Sequence, residues 1–179
     1  LRVEGATVLD LGCGSGRDCY LASAMVGEAG KVIGVDMTDG SWMSLKSSKL
    51  SHLGFGFSKP NVDFRKGVIE NLKDSAGIQD NSIDCVISNC VINLVPDKEK
   101  VFKEVWRILR PGGEFYFSDV YSDRRIPEDL RKDKVLWGEC LSGALYVEDF
   151  RRMMLRCGFN YYYTVSQSDI TVEYPEVEK

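Results

Sequence analysis

The sequence predicts an α/β fold, with one mostly parallel sheet, helices on both of its faces and an antiparallel hairpin closing it. Three observations carry that reading. Apolar, β-branched runs alternate with amphipathic stretches. A glycine-rich turn follows the first such run directly, and a second turn, Pro111-Gly112-Gly113, separates the best helical stretch from the next apolar run. Strand and helix in alternation imply crossover connections, which lay helices on the sheet faces.

Strands are expected at 7–11, 31–35, 62–65, 83–88 and 114–118, with helices at 18–26, 43–52 and 97–109. In the last helix Val101, Val105, Ile108 and Leu109 share one face, Pro96 stands at the start, and Pro111-Gly112-Gly113 ends it. Its charged residues Lys98, Lys103 and Arg107 read as a solvated face. Beyond Tyr121 the pattern changes to polar turns, a helix opening at Pro127, a glycine-rich stretch at 138–143 and a helix at 147–157 stopped by Gly158. Gly138 and Gly143 suit a loop that can move. Residues 160–166 and 170–174 read as the closing hairpin, with Tyr161, Tyr162 and Tyr163 as scaffold alternating between core and surface. Residues 1–120 are expected to form the sheet core, and 121–179 a following segment of the same domain.

With 179 residues and 44% hydrophobic content, the chain is long enough for one buried α/β core and short for two. The net charge is -4 and the basic residues are scattered, so nucleic acid and anionic membrane are not expected partners. No apolar run approaches the roughly 20 residues that span a bilayer, and the first residues lack a signal-peptide layout. Six cysteines in an otherwise ordinary composition suit a reducing compartment better than a disulfide scaffold. The expectation is a cytoplasmic monomer, and, because strand 7–11 starts almost at once, an excerpt of a longer protein.

The first turn reads Asp10-Leu11-Gly12-Cys13-Gly14-Ser15-Gly16-Arg17-Asp18. Glycines there allow positive φ and let a ligand approach the main chain. A dinucleotide loop would put its third glycine at position 17, which is Arg17 here. Gly12, Gly14 and Gly16 behind the acidic Asp10 resemble instead the loop of Rossmann-like class I methyltransferases, which bind S-adenosylmethionine and have no pyrophosphate to cradle. Asp36, with Met37 behind it, ends the second strand about 20 residues beyond the glycines, where a carboxylate can accept from ribose hydroxyls. Strand 83–88 delivers Asn89 and Cys90 to the same carboxyl edge, where open α/β sheets bind ligands.

Four blocks then resemble arsenite methyltransferases closely: residues 10–20, the run Ser88-Asn89-Cys90-Val91-Ile92-Asn93-Leu94-Val95-Pro96-Asp97-Lys98, residues 115–121, and Val135-Leu136-Trp137-Gly138-Glu139-Cys140-Leu141. The resemblance implies that Cys90 and Cys140 are arsenic(III)-binding thiolates acting in catalysis. It also implies that Asp10, Gly12, Gly14, Asp36, Ile69, Glu70 and Asn89 lie on or near the S-adenosylmethionine pocket, with Ile69 and Glu70 beside the adenine. Trivalent arsenicals and a thiol reductant such as thioredoxin or glutathione are the implied partners. Arsenic(III) is soft and thiophilic and keeps a lone pair, so thiolate ligands and in-line methyl transfer fit its chemistry without acid/base groups. The family has two further cysteines upstream, one of them a third arsenic ligand, and the sequence begins after both. Two sulfurs suit a monosubstituted arsenical, which has one valence already on carbon, better than arsenite. The stretch Gly40-Ser41-Trp42-Met43-Ser44-Leu45-Lys46 departs from the charged helix usual in the family.

Other cysteines read as scaffold. Cys13, Cys85 and Cys157 are expected as small buried apolar groups, and Cys19 as a packing residue. With no C-x-x-C and a single histidine, His52, a zinc site is not expected. The rival readings are a methyltransferase for a small organic acceptor, indifferent to serine at both positions 90 and 140, and an arsenical-binding module without turnover.

Overall fold

The structure, a computed structural model, describes residues 3–38 and 55–170. The expected helix at 43–52, the departing stretch at 40–46 and His52 lie outside the described residues. Five strands form the main sheet: β1 (Thr7–Leu11), β2 (Lys31–Asp36), β3 (Val62–Lys66), β4 (Ile83–Asn89) and β5 (Leu109–Ser118). Their order is β3-β2-β1-β4-β5 and every pairing is parallel. The sheet therefore grows one way from β1 through β2 and the other way through β4, which makes the carboxyl ends of β1 and β4 a topological switch point.

Alternation along the strands supplies both faces. Val8, Val32 and Cys85 join Cys19, Ala22 and Val26 of α1 (Arg17–Val26) in one cluster. Leu9, Leu11, Ile33 and Val86 point the other way, into a larger core with Val101, Phe102, Val105 and Ile108 of α3 (Lys98–Ile108) and Phe150 and Met154 of α6 (Val147–Arg156). Phe102 holds ring contacts with Phe115, Phe117 and Phe150 at centroid distances of 6.3, 6.1 and 6.0 Å. Asp97 caps α3 by accepting from Lys100 N–H at 3.2 Å. Among the described residues no helix is long and apolar enough to cross a membrane.

Several elements differ from the sequence reading. Helix α3 is not ended by the proline and glycines: it stops at Ile108 and β5 begins at Leu109. Pro111-Gly112-Gly113 is instead a bulge within β5, since Ile83 pairs Leu109 and two residues later Cys85 pairs Glu114. Gly112 takes φ 81° there, and a Cβ on Gly113 would stand 3.0 Å from Arg110 O. A short helix, α2 (Leu72–Ala76), has no counterpart in the expectation. Its punctuation is legible afterwards: Asn71 caps it and Gly77 ends it at φ 67°. Lys98 is not on a solvated face but 7% exposed. It stands four positions before Phe102 on α3, and its Nζ turns inward to carbonyls of the preceding turn.

Among the described residues the expected antiparallel closing hairpin has no strand. Residues 160–170 carry no strand, Tyr161 and Tyr163 are 86% and 88% exposed, and residues 171–174 lie outside the described residues. Strand propensity records how side chains fit a pleated surface, and this run stands largely in solvent instead of packing on one. A different small ladder takes shape: β6 (Tyr121–Ser122) pairs β7 (Leu145–Tyr146) in parallel. It pinches together the two ends of an excursion containing α4 (Glu128–Arg131), α5 (Lys134–Gly138) and Cys140.

Candidate functional site

Beyond β1 the chain turns through three glycines at positive φ: Gly12 at 67°, Gly14 at 48° and Gly16 at 77°. A side chain is strained at each, and at Gly12 its Cβ would also lie 2.5 Å from the Val91 side chain. A Cβ at Gly14 would meet nothing within 4 Å, because that glycine faces a cleft. The cleft has a volume of about 250 Å³ and is lined by Asp10, Gly12, Cys13, Gly14, Ser15, Arg17, Asp18 and Asn89. It sits at the switch point between β1 and β4, as the strand order requires.

Asp36 ties this cleft to a neighbouring hollow. Its Oδ2 accepts from Gly14 N–H at 2.9 Å and its Oδ1 from Thr38 N–H at 2.8 Å. Burial opposes the charge, but the hydrogen bonds from Thr38 and Gly14 outweigh it and hold the carboxyl below its ordinary range. Met37, 68% exposed, borders the hollow of about 330 Å³ together with Lys66, Gly67, Val68 and Ser75. Gly16 precedes α1 as its cap residue. Ile69 is buried in the larger core and Glu70 is half-buried in the turn that follows; both adjoin the hollow in sequence through Val68 and line neither cavity.

Asp10 is buried under the loop. Burial, with the negative charges of Asp18 and Asp36, pushes its carboxyl up to about 6, against a hydrogen bond from Cys19 that lowers it. Cys19 Sγ donates to Asp10 Oδ2 at 3.2 Å, so this cysteine is a polar partner as well as a packing residue. Its thiol is pushed strongly up by the neighbouring Cys13 thiol, by burial and by Asp10. Cys13 belongs to the core, as expected, and also lines the cleft. Cys85 and Cys157 are buried. Cys13, Ser15, Arg17 and Asp18 line the cleft without having been expected as cofactor-binding residues; their place within and directly after the glycine loop was the available signal.

Asn89 lines the same cleft, with Oδ1 accepting from Ser118 Oγ at 2.6 Å. Next to it Cys90 is exposed and has φ 53°, while Cys140, fifty residues on, has φ 61°. Apart from Asn81, they are the non-glycine residues at positive φ among the described residues. Such backbone costs about 1–2 kcal/mol for an ordinary side chain and persists where the surroundings enforce it. Here Cys90 N–H is held by Ser118 O at 2.9 Å and Cys140 N–H by Trp137 O at 3.0 Å. The structure brings the pair together: Cys140 Sγ donates to Cys90 O at 3.5 Å. Both thiols are pushed above their ordinary range, first by burial and then by the negative charge of Asp119. Gly143 serves close approach, since its Cβ would stand 2.1 Å from Asn93 O. No group of three or more His, Cys, Asp or Glu able to hold a metal ion occurs among the described residues.

The fold has known counterparts. The chain is 53% identical over 178 residues to an arsenite methyltransferase of Mus musculus, covering 99% of this chain and 47% of that protein. It is 52% identical over 157 residues to an arsenite methyltransferase of Aquipseudomonas alcaligenes, covering 88% and 45%. A crystal structure of an arsenic(III) S-adenosylmethionine methyltransferase from Chlamydomonas reinhardtii superposes with a TM-score of 0.93 at 47% identity, covering 99% of this chain and 59% of that one. The chain thus spans about half the length of the curated relatives it matches. The family model described as a methyltransferase domain matches residues 2–161, and with the parallel sheet and the glycine cleft at its switch point, the chain belongs to the methyltransferase domain family.

Proposed function

We propose that this chain is the cofactor- and substrate-binding part of an arsenite methyltransferase, in which Cys90 and Cys140 together hold a trivalent arsenical beside the S-adenosylmethionine cleft. The observation that carries the reading is the meeting of two cysteines from distant segments, both in left-handed backbone, one of them directly after Asn89, which lines the cleft. The names of the similar mouse, bacterial and algal enzymes support the same substrate.

The residues present fit the cofactor. The open main chain at Gly14 lets a ligand approach, and Asp10 and Asn89 offer polar groups within the cleft. Asp36, bonded to Gly14 of the cleft and followed by Met37 of the hollow, has a depressed pKa suited to accepting from ribose hydroxyls; Met37 is a further cofactor contact, and Ile69 and Glu70, which follow Val68 of the hollow in sequence, are proposed for the adenine end. When bound, S-adenosylmethionine supplies a methyl on a sulfonium centre, which an arsenic lone pair takes by in-line displacement.

The protein's own part is binding and alignment. With raised pKa values the two thiols enter protonated. Each condenses with a hydroxyl of an RAs(OH)₂ arsenical, two As–S bonds form, and two waters leave carrying the thiol protons. Softness matching favours sulfur over oxygen at arsenic. A thiol reductant such as thioredoxin or glutathione keeps both sulfurs competent, and a cytoplasmic, monomeric protein suits that chemistry.

The test is transfer of labelled methyl from S-adenosylmethionine to methylarsonous or phenylarsenous acid by the reduced chain, compared with Cys90→Ser and Cys140→Ser. Label in arsenical product from the wild-type chain and loss of it in both variants is the expected result. Methyl transfer to an organic acceptor that survives both substitutions would overturn the reading.

A further inference from the structure

One buried side chain joins the turn after β4 to the loop that carries Cys140. Asn93 is 2% exposed. Its Nδ2 donates to Val120 O at 2.7 Å and to Cys140 O at 3.4 Å, and its own N–H donates to Asp119 Oδ2 at 3.0 Å. Its carbonyl accepts from Lys98 Nζ at 3.1 Å. That ammonium also donates to Val95 O at 2.8 Å and lies 5.3 Å from the centroid of the Trp137 ring, on the helix just before Cys140. Gly143, at the other end of the loop, lies so close to the Asn93 carbonyl that no side chain fits between them.

This arrangement is costly. An ammonium held largely out of water faces carbonyls and a ring, and its pKa is lowered by that burial. None of these bonds belongs to the main sheet or closes a helix. They connect the turn three residues past Cys90, the chain leaving β5, the start of α3 and both sides of Cys140.

We propose that Asn93 is a positioning residue: held by Lys98 and Asp119, it fixes the loop bearing Cys140 against the turn bearing Cys90 and so sets the span between the two thiols. The inference rests on the arsenical reading above, because the span matters only to a ligand that both sulfurs must reach at once. Bonds to two sulfurs demand one separation, whereas a reagent that meets one sulfur is indifferent to it. Groups that orient metal ligands from outside the first sphere are worth about 10–100-fold in affinity.

The experiment measures dissociation of phenylarsenous acid from the reduced full chain, after addition of a competing small dithiol, for the wild type, Asn93→Ala, Lys98→Met and Lys98→Arg. Alkylation of Cys90 by iodoacetamide, S-adenosylmethionine affinity and melting temperature are followed alongside. The expected result is dissociation at least about tenfold faster from Asn93→Ala and Lys98→Met. Cys90 alkylation and cofactor affinity stay at wild-type values, and Lys98→Arg recovers part of the retention. Lys98→Met leaves every hydrogen bond of the Asn93 side chain available and carries the test if Asn93→Ala does not fold. Wild-type dissociation from the variants would overturn this inference alone, as would a parallel loss of arsenical retention, cofactor affinity and melting temperature. Absence of phenylarsenous acid binding by the wild-type chain would overturn the arsenical reading and this inference with it.

Discussion

Gly12 and Gly14 show how two residues of one loop can be constrained for different reasons. Both have positive φ, but a methyl at Gly12 meets Val91 while a methyl at Gly14 enters open cleft. Gly14→Ala is expected to cost about 1–2 kcal/mol of stability from backbone strain and to weaken cofactor binding. Gly12→Ala adds a steric clash and lowers the melting temperature further; equal melting temperatures for the two variants would count against this account. Asp10 gives a pH prediction. A carboxyl whose pKa rises from 3.8 to about 6 on folding is favoured protonated, so its contribution is present below pH 3.8 and is lost as pH rises through about 6. Wild type should therefore lose stability relative to Asp10→Asn between those limits, read as urea midpoints across that range. A constant difference between the two would contradict the burial assigned to this carboxyl. The cysteines were legible at this scale, Cys90 as the residue a strand delivers to the sheet edge. Lys98 was not: a lysine near a helix start reads as solvent-facing, and only the fold reveals the carbonyls of the preceding turn and the Trp137 ring around it.

Among the elements, α3 and β5 hold the heart of the larger core. Phe102 is fully buried against Phe115, Phe117 and Phe150. Phe102→Ala should destabilise by about 3–5 kcal/mol, visible in chemical denaturation; a loss below 1 kcal/mol would mean that the cavity collapses without cost. The strands around the switch point could be read directly because the cores of β1 and β4 are short apolar, β-branched runs, Val8-Leu9 and Val86-Ile87 among them, with most positions buried. The bulge in β5 could not, since Pro-Gly-Gly is the same signal whether a turn ends a helix or a strand kinks within a sheet. Residues 160–166 have the alternation of a strand, yet alternation fixes only which side chains share a face. A ladder also needs a neighbouring edge, which local sequence does not encode.

At the scale of the whole molecule, the parallel sheet places a polar cleft at its switch point, and the excursion pinched by β6 and β7 returns Cys140 to the backbone of Cys90, the residue after cleft-lining Asn89. The fold class and the glycine cleft followed from periodicity and loop spacing. The closeness of Cys90 and Cys140 came from resemblance, since no local pattern links residues so far apart; the structure supplies the contact. A two-thiol site should retain phenylarsenous or methylarsonous acid better than arsenite, which has a third hydroxyl to satisfy. The most direct measurement is the stoichiometry of phenylarsenous acid on the reduced chain and on Cys90→Ser and Cys140→Ser. One equivalent bound by the wild type and none retained by either variant is the expected result, whereas binding that persists after either substitution would contradict a shared arsenic site.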